Sequence, residues 1–323
     1  MTKPIPPVSE LKKICWKSQD AWLSWKLYRT PSIYVTWLLG HTPITANGVT
    51  LLGVLFAMAA WAMLATGDLA WMLGGALLLQ VWVLLDHTDG EIARLRRYRG
   101  LPGSASVEGA FAEYVGNHLV VHPITIVFVG VGAYHHWGEI AYLYMGFAGA
   151  FASLLAMAIW LRRHMLLLKF VYLDPDHEAG YMGQTPESHL RERGLSPATD
   201  PAAAAAPAKT RRSLRDLIGD FLLLTSNFIE FSLLVIAAVA IDFALAAAGY
   251  PSLAPQWFLH GALTLFLLYY GVVFPLATVA SIFTNIRFQI AHDLAGYVAH
   301  AAAKRARAQG KDAPAVPNPA EDH

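Results

Sequence analysis

Six stretches of this chain are each apolar over the length of a bilayer-crossing helix, and nothing else in the sequence limits the fold so strongly. They lie near residues 49–67, 69–86, 110–134, 139–161, 216–247 and 256–285. A helix of about 20 apolar residues spans the hydrocarbon core and satisfies its own backbone hydrogen bonds there. The third stretch is interrupted by Glu113, Asn117, His118 and His122, and the fifth by Asp220, Asn227 and Glu230. Only 15% of the residues are charged and 55% are hydrophobic, whereas a soluble domain carries about 25% charged residues. The expected fold class is therefore all-α, a polytopic membrane protein with six transmembrane helices.

Basic residues set the expected orientation. Lys12, Lys13, Lys17, Lys26 and Arg29 precede the first span, and Arg94, Arg96, Arg97 and Arg99 lie between the second and third. Arg162, Arg163 and Lys169 open the connection between the fourth and fifth, and Lys304, Arg305 and Arg307 follow the sixth. The opposite connections, around Gly67–Asp68, His135–Trp137 and Gly249–Pro255, contain neither lysine nor arginine. Both termini are expected in the cytoplasm, with the protein in the cytoplasmic (inner) membrane. A soluble protein with buried helices would have to produce this alternation by chance. The opening MTKPIPPVSELKK is polar and reads as no cleavable signal. The one cysteine, Cys15, excludes an intrachain disulfide and any multi-cysteine metal site.

Three regions are expected. Residues 1–48 form a cytoplasmic segment in which Val8–Ser32 mixes Trp16, Trp22, Trp25 and Tyr28 with lysines and an arginine. That mixture suits a helix lying in the headgroup layer, and a plain solvated helix is the alternative. Residues 49–290 hold the spans and a cytoplasmic loop, 162–215, with the low-complexity run PATDPAAAAAPAK. Residues 291–323 form a cytoplasmic tail whose last part reads as disordered. Neither loop nor tail suggests a further globular domain, and no nucleic-acid partner is expected.

Chemistry is concentrated in the run DHTDGEIAR. Asp86 and Asp89, three residues apart, share a helix face at the expected cytoplasmic end of the second span. Glu113 and Asn117 share a face near the start of the third, and antiparallel pairing would bring the two faces together. Such a cluster of oxygen ligands suits Mg²⁺ or Mn²⁺, whose charge offsets the carboxylate repulsion. Gly90 and Ala93 leave room for a bulky ligand, and Arg94 can grip a phosphate bidentately. Pyrophosphate cleavage fits this set. Interhelical polar contacts, or an ion or proton pathway through the membrane, are the competing readings.

DHTDGEIAR resembles the first half of the signature of the CDP-alcohol phosphotransferase family, D-x-x-D-G-x-x-A-R followed by G-x-x-x-D-x-x-x-D. Asp86, Asp89, Gly90, Ala93 and Arg94 match that half. In the second half Gly109 matches, Glu113 stands at the third aspartate and Asn117 at the fourth, after a longer connection than the family's. Ile44–Thr50, ITANGVT, looks like the family's ITPNxxT segment with Ala46 for proline. The resemblance covers roughly residues 20–290 and includes the six-span layout and the interfacial helix.

The resemblance implies a metal-dependent transferase that displaces CMP from a CDP-linked donor and joins the remaining phospho-group to an alcohol or lipid acceptor, in phospholipid or related lipid synthesis. It implies Asp86, Asp89, Glu113 and Asn117 as the metal set, and Asp89, Gly90, Ala93 and Arg94 as the residues around the cytidine diphosphate. Association as a homodimer also follows from it. Asn117 departs at the position of the family's general base, because an amide takes no proton at neutral pH. Glu113 is the first replacement; His118 and His122 are others, and binding of nucleotide without turnover is the remaining outcome. Asp220, Asn227 and Glu230 either line an acceptor pocket or bond between helices. Arg29 and Arg287 either meet substrate phosphate or anchor the headgroup layer. His135, His136, Tyr269 and Tyr270 are expected to be structural.

Overall fold

A computed structural model describes residues 3–16, 25–102, 115–173, 185–192, 228–250, 252–255, 258–284 and 290–308. Two compact units partition the chain, one of Met1–Leu154 with Asp220–Pro275 and one of Leu155–Gly219 with Leu276–His323. The described residues are helical almost throughout: α1 (Val8–Cys15), α2 (Thr30–Gly40), α3 (Ala46–Leu64), α4 (Leu69–Arg99), α5 (His122–Trp137), α6 (Ala141–Leu168), α7 (Pro186–Glu192), α8 (Phe228–Ala247), α9 (Ala262–Leu268), α10 (Phe274–Thr284) and α11 (Ile290–Ala308). Wide π-helical turns at Trp25–Arg29, Val115–Val121, Lys169–Leu173 and Tyr269–Val273 adjoin α2, α5, α6 and α9.

Ala46–Leu64, Leu69–Arg99, Ala141–Tyr172, Glu230–Ala247 and Ala262–Phe283 are each long and apolar enough to cross a membrane. Leu51, Leu55, Phe147, Phe151 and Leu265 stand exposed on these helices. So many large apolar side chains in water would be an aggregation surface, whereas in lipid they are at home. The protein is an all-α, multi-spanning integral membrane protein. The expected third span is helical from Val115 to Trp137, and its earlier part lies outside the described residues.

In the first unit, α3 and α4 form an antiparallel hairpin. Asp68 caps the start of α4 by accepting from the Ala70 and Trp71 amides at 2.9 and 3.0 Å. Gly67 makes the preceding turn at φ 76°. The far end of α4 closes at Gly100, whose φ of 70° allows the Leu101 amide to reach the Arg96 carbonyl at 2.9 Å. Between these caps run 31 residues, or about 46 Å of helix, against a hydrocarbon thickness of about 30 Å. The spanning stretch therefore does not end the helix at Asp86. DHTDGEIAR continues it as helix, although its Asp, His, Thr and Gly residues are among the weaker helix formers.

Helix α5 crosses α3 at small residues. A Cβ on Gly132 would collide with the Leu64 carbonyl oxygen, so only glycine permits this approach. Trp61 Nε1 donates to Thr125 Oγ1 at 3.0 Å across the same contact. His135 and His136 donate from Nδ1 to the Ala65 and Gly67 carbonyls at 2.6 and 2.7 Å, clasping the α3–α4 turn. Asp242 on α8 accepts from the Ala262 and Leu263 amides at 2.6 and 2.9 Å and so caps α9. In the second unit, Leu167, Phe170, Val171, Leu190, Leu294 and Tyr297 form a core, and Arg163 pairs with Asp293 at 3.1 Å.

The aromatic and basic stretch Val8–Ser32 is not one continuous helix. Trp16 is extended, at φ −78° and ψ 141°, and ends α1. Leu11 and Cys15 of α1 pack with Ile33 of α2 and Leu95 of α4. The apolar side of α1 therefore faces protein. Burial, and secondarily the Glu91 carboxylate, push the Cys15 thiol up from 9.0 to about 12. Only the thiolate is the nucleophile, so in the folded protein at pH 8 Cys15 should resist maleimide, and denaturant should expose it. A raised folded-state value also means that stability is complete below about pH 9 and falls as pH climbs towards 12. Rapid alkylation of native protein would show that α1 does not stay docked.

Candidate functional site

Helix geometry sorts the residues of DHTDGEIAR onto different sides of α4. At about 100° per residue, Asp86, Asp89, Gly90 and Ala93 share one side, Arg94 flanks it, and Glu91 falls elsewhere. Asp89 is 5% exposed and Ala93 7%, while Asp86, Gly90 and Arg94 are half-buried.

The Thr50 hydroxyl on α3 donates to Asp89 Oδ2 at 2.6 Å. That length is typical of an O–H donor on a carboxylate. Arg96 Nη1 donates to the Ile44 carbonyl at 3.1 Å. Both ends of Ile44–Thr50 are thus fastened to α4, one of them directly on Asp89. Thr45 starts α3 by capping the Gly48 amide at 3.2 Å, which places Thr50 just over one turn into the helix. Arg94 folds back along α4: a Cβ on Gly90 would sit 3.4 Å from its Nη1 and 3.6 Å from its Nη2. Gly90 therefore gives the guanidinium room to lie against the helix.

A third acid of the motif has a different role, which the sequence reading did not assign. Glu91 is fully buried. Its Oε1 accepts from Ser32 Oγ at 2.9 Å and pairs with Arg29 Nη1 at 3.4 Å, while Oε2 accepts from Thr36 Oγ1 at 2.7 Å. Arg29 is itself 6% exposed. Its Nη1 faces Glu91 inside the protein. The only advance signal was a third carboxylate two positions beyond Asp89, which turns it to another side of the helix.

The partners expected across the bundle are placed unequally. Glu113 lies outside the described residues, as do Gly109, Asp220, Asn227 and Arg287. Asn117 and His118 fall in the π-helical turn Val115–Val121, of which the backbone is described. His122, 4% exposed, bonds through Nδ1 to Ser153 Oγ at 3.1 Å and meets the Phe231 ring edge-on at 4.2 Å. Its ring packs between Ser153 of α6 and Phe231 of α8. Tyr270 is fully buried among Phe231, Phe266 and Phe274, and His135 and His136 clasp a turn at the other end of the hairpin. Glu230 is 9% exposed at the start of α8.

Among the described residues, no group of three or more histidine, cysteine or acidic side chains forms a metal-binding set. Asp86 and Asp89 place two carboxylates on one helix face, and hard oxygen ligands of that kind suit Mg²⁺ or Mn²⁺. The donor chemistry fits such an ion. Compared with known proteins, the chain matches neither a family model nor a curated sequence.

Proposed function

We propose that this protein is a membrane transferase that takes a phospho-alcohol or phosphatidyl group from a CDP-linked donor, passes it to an alcohol or lipid acceptor and releases CMP. One observation carries the reading. The Thr50–Asp89 hydrogen bond, at 2.6 Å, joins the two separate segments, ITANGVT and DHTDGEIAR, that resemble the CDP-alcohol phosphotransferase family.

In this reading Asp86 and Asp89 hold Mg²⁺ or Mn²⁺ with Glu113 and Asn117 from the third span. The ion, when bound, offsets the charge of the donor's pyrophosphate. Gly90 and Ala93 leave the helix surface low enough for the cytidine diphosphate once the Arg94 guanidinium, which lies over Gly90, swings to a phosphate oxygen. The acceptor oxygen bonds to the transferred phosphorus as the bond to the CMP oxygen breaks. The acceptor proton goes to a carboxylate, with Glu113 assigned because Asn117 takes none. Six spans with both termini and the site on the cytoplasmic side, in the inner membrane, and association as a homodimer, complete the proposal.

A pathway for ions or protons is less well supported. It accounts for acids within the spans but not for Gly90, Ala93 and Arg94 beside Asp86 and Asp89, although Glu91 and Asp242 are held by structural donors. A non-catalytic nucleotide-binding protein is the outcome if turnover fails. Purified protein given Mg²⁺ or Mn²⁺, a CDP-linked donor and an alcohol is expected to release CMP. The donors to test are CDP-diacylglycerol and CDP-alcohols, each paired with small and lipid alcohols. Cation flux into liposomes without any CMP release would overturn the transferase reading, and CDP binding without turnover would reduce it to a binding role.

A further inference from the structure

The end of the α3–α4 hairpin farthest from Asp86 and Asp89 holds an open cavity of about 530 Å³. Thr66 and Asp68 of the turn, His135 and His136 of α5, and Phe243 and Ala247 of α8 line it, and no lysine or arginine does. From Asp68 to Asp86 is about 27 Å of helix, close to the hydrocarbon thickness of about 30 Å. The cavity therefore lies at headgroup depth on the membrane face opposite Asp86 and Asp89. Close contacts hold its walls together. A Cβ on Gly67 would sit 2.6 Å from the His135 Cβ, and the two imidazoles bond the Ala65 and Gly67 carbonyls at 2.6 and 2.7 Å.

Every polar side chain around this cavity has an acceptor to offer, and with neutral imidazoles none has a donor left. A carbonyl only accepts, so each imidazole carries its proton on Nδ1, and the neutral ring keeps a lone pair on Nε2. Neither Nε2 makes a hydrogen bond among the described residues. Thr66 gives its hydroxyl proton to the Met63 carbonyl at 2.8 Å. Asp68 takes the Ala70 and Trp71 amides on Oδ1 alone, so Oδ2 and the carboxylate charge remain for a ligand. Phe243 and Ala247 add an apolar wall beside these acceptors.

That pattern selects a cation carrying its own N–H donors. A carboxylate or phosphate would meet only lone pairs and the Asp68 charge, and a quaternary ammonium has no N–H to give. A guanidinium seeks both oxygens of a carboxylate, and one of Asp68's is committed to the two amides. A divalent metal ion needs more ligands, and among the described residues no three histidine, cysteine or acidic side chains form a set. A primary ammonium brings three N–H donors on one centre, matching Asp68 Oδ2 and the two Nε2 atoms. We infer that this cavity binds the primary ammonium group of an amine. The group arrives either on a lipid headgroup, whose chains would pass along Phe243 and Ala247, or on a small soluble amine. The site uses none of the transferase chemistry and stands or falls separately from it.

The test uses full-length protein in nonionic detergent, without nucleotide or divalent cation, in an amine-free buffer at about pH 8, where ordinary imidazoles are neutral. Thermal unfolding is followed with methylammonium against tetramethylammonium chloride, and with dioleoylphosphatidylethanolamine against dioleoylphosphatidylcholine. Methylammonium or the ethanolamine lipid should raise the midpoint by about 2 °C or more over its methylated counterpart. The arm that responds identifies the source. Asp68→Asn keeps the helix cap, since asparagine caps as well as aspartate, but removes the charge and should lose the difference. His136→Asn keeps an N–H for the Gly67 carbonyl, removes Nε2, and should lose most of it. Both variants retain the bonds of the turn, so a lost response is read on folded protein, and if one proves unstable the other still decides. Equal midpoints for both ligand pairs in the wild type overturn the proposal. A difference that survives undiminished in either variant does so too.

Discussion

Replacing Glu91 with alanine should destabilise the protein by about 3–5 kcal/mol, the cost of breaking a buried ion pair from one side. Glu91 is fully buried and Arg29 is 6% exposed, so solvent screens their 3.4 Å pair little. The substitution also removes the acceptor for Ser32 and Thr36, both 0% exposed, and each stranded hydroxyl adds to the loss. Glu91→Gln keeps an acceptor for one or both hydroxyls and should cost less. The double variant Glu91→Leu with Arg29→Met should recover much of the loss, because apolar groups of similar volume avoid the desolvation penalty. Unfolding in mixed micelles, followed by tryptophan fluorescence, measures all three. If Glu91→Ala lies within about 1 kcal/mol of wild type, the network does not hold α2 against α4, because an exposed pair would give that value.

Much of this organisation could be read from the sequence, and what could not has a physical reason. The spans are legible because lipid demands long apolar runs, and Ala46–Leu64 and Leu69–Arg99 start within a few residues of the expected positions. The length of α4 is not. Charge after Leu85 marks where apolar composition stops, whereas the helix stops only where Gly100 adopts a left-handed conformation. Asp86, Asp89, Gly90 and Ala93 share a face because three- and four-residue spacings dictate it. Thr50 was in view as part of ITANGVT, but its hydroxyl's bond to Asp89 depends on hairpin register, which composition does not encode. The Glu91 network was hidden for a similar reason. Its partners Arg29, Ser32 and Thr36 lie 62, 59 and 55 residues upstream, and three hydroxyl or basic residues near an N-terminus carry no signal of their destination. The break at Trp16 was obscured because lysines and tryptophans at helical spacing describe an amphipathic surface without saying where the chain turns.

Asp89→Asn should leave the fold nearly intact and abolish metal-dependent CMP release. The asparagine amide oxygen replaces Oδ2 as acceptor for the Thr50 hydroxyl, which donates at 2.6 Å in the native protein. The structural cost is therefore the difference between a charged and a neutral hydrogen bond, about 1 kcal/mol. The functional cost is larger. A neutral amide in place of one of two carboxylates on the face of α4 weakens the hold on a divalent cation. Several kcal/mol of charge stabilisation at the pyrophosphate then go with it, a loss of about 10²-fold or more in rate. Thr50→Val separates the two effects: it removes the donor, leaves both carboxylates, and should shift the unfolding midpoint more than the rate. Parallel measurement of unfolding and of CMP release across Mg²⁺ and Mn²⁺ concentrations decides the matter. An Asp89→Asn protein that turns over within about threefold of wild type cannot have lost a metal ligand, since that ratio corresponds to less than 1 kcal/mol of barrier. Asp89 would then be the partner of Thr50 in helix packing and nothing more. A protein that keeps its midpoint and loses its rate places the chemistry on the face that Asp86 and Asp89 share.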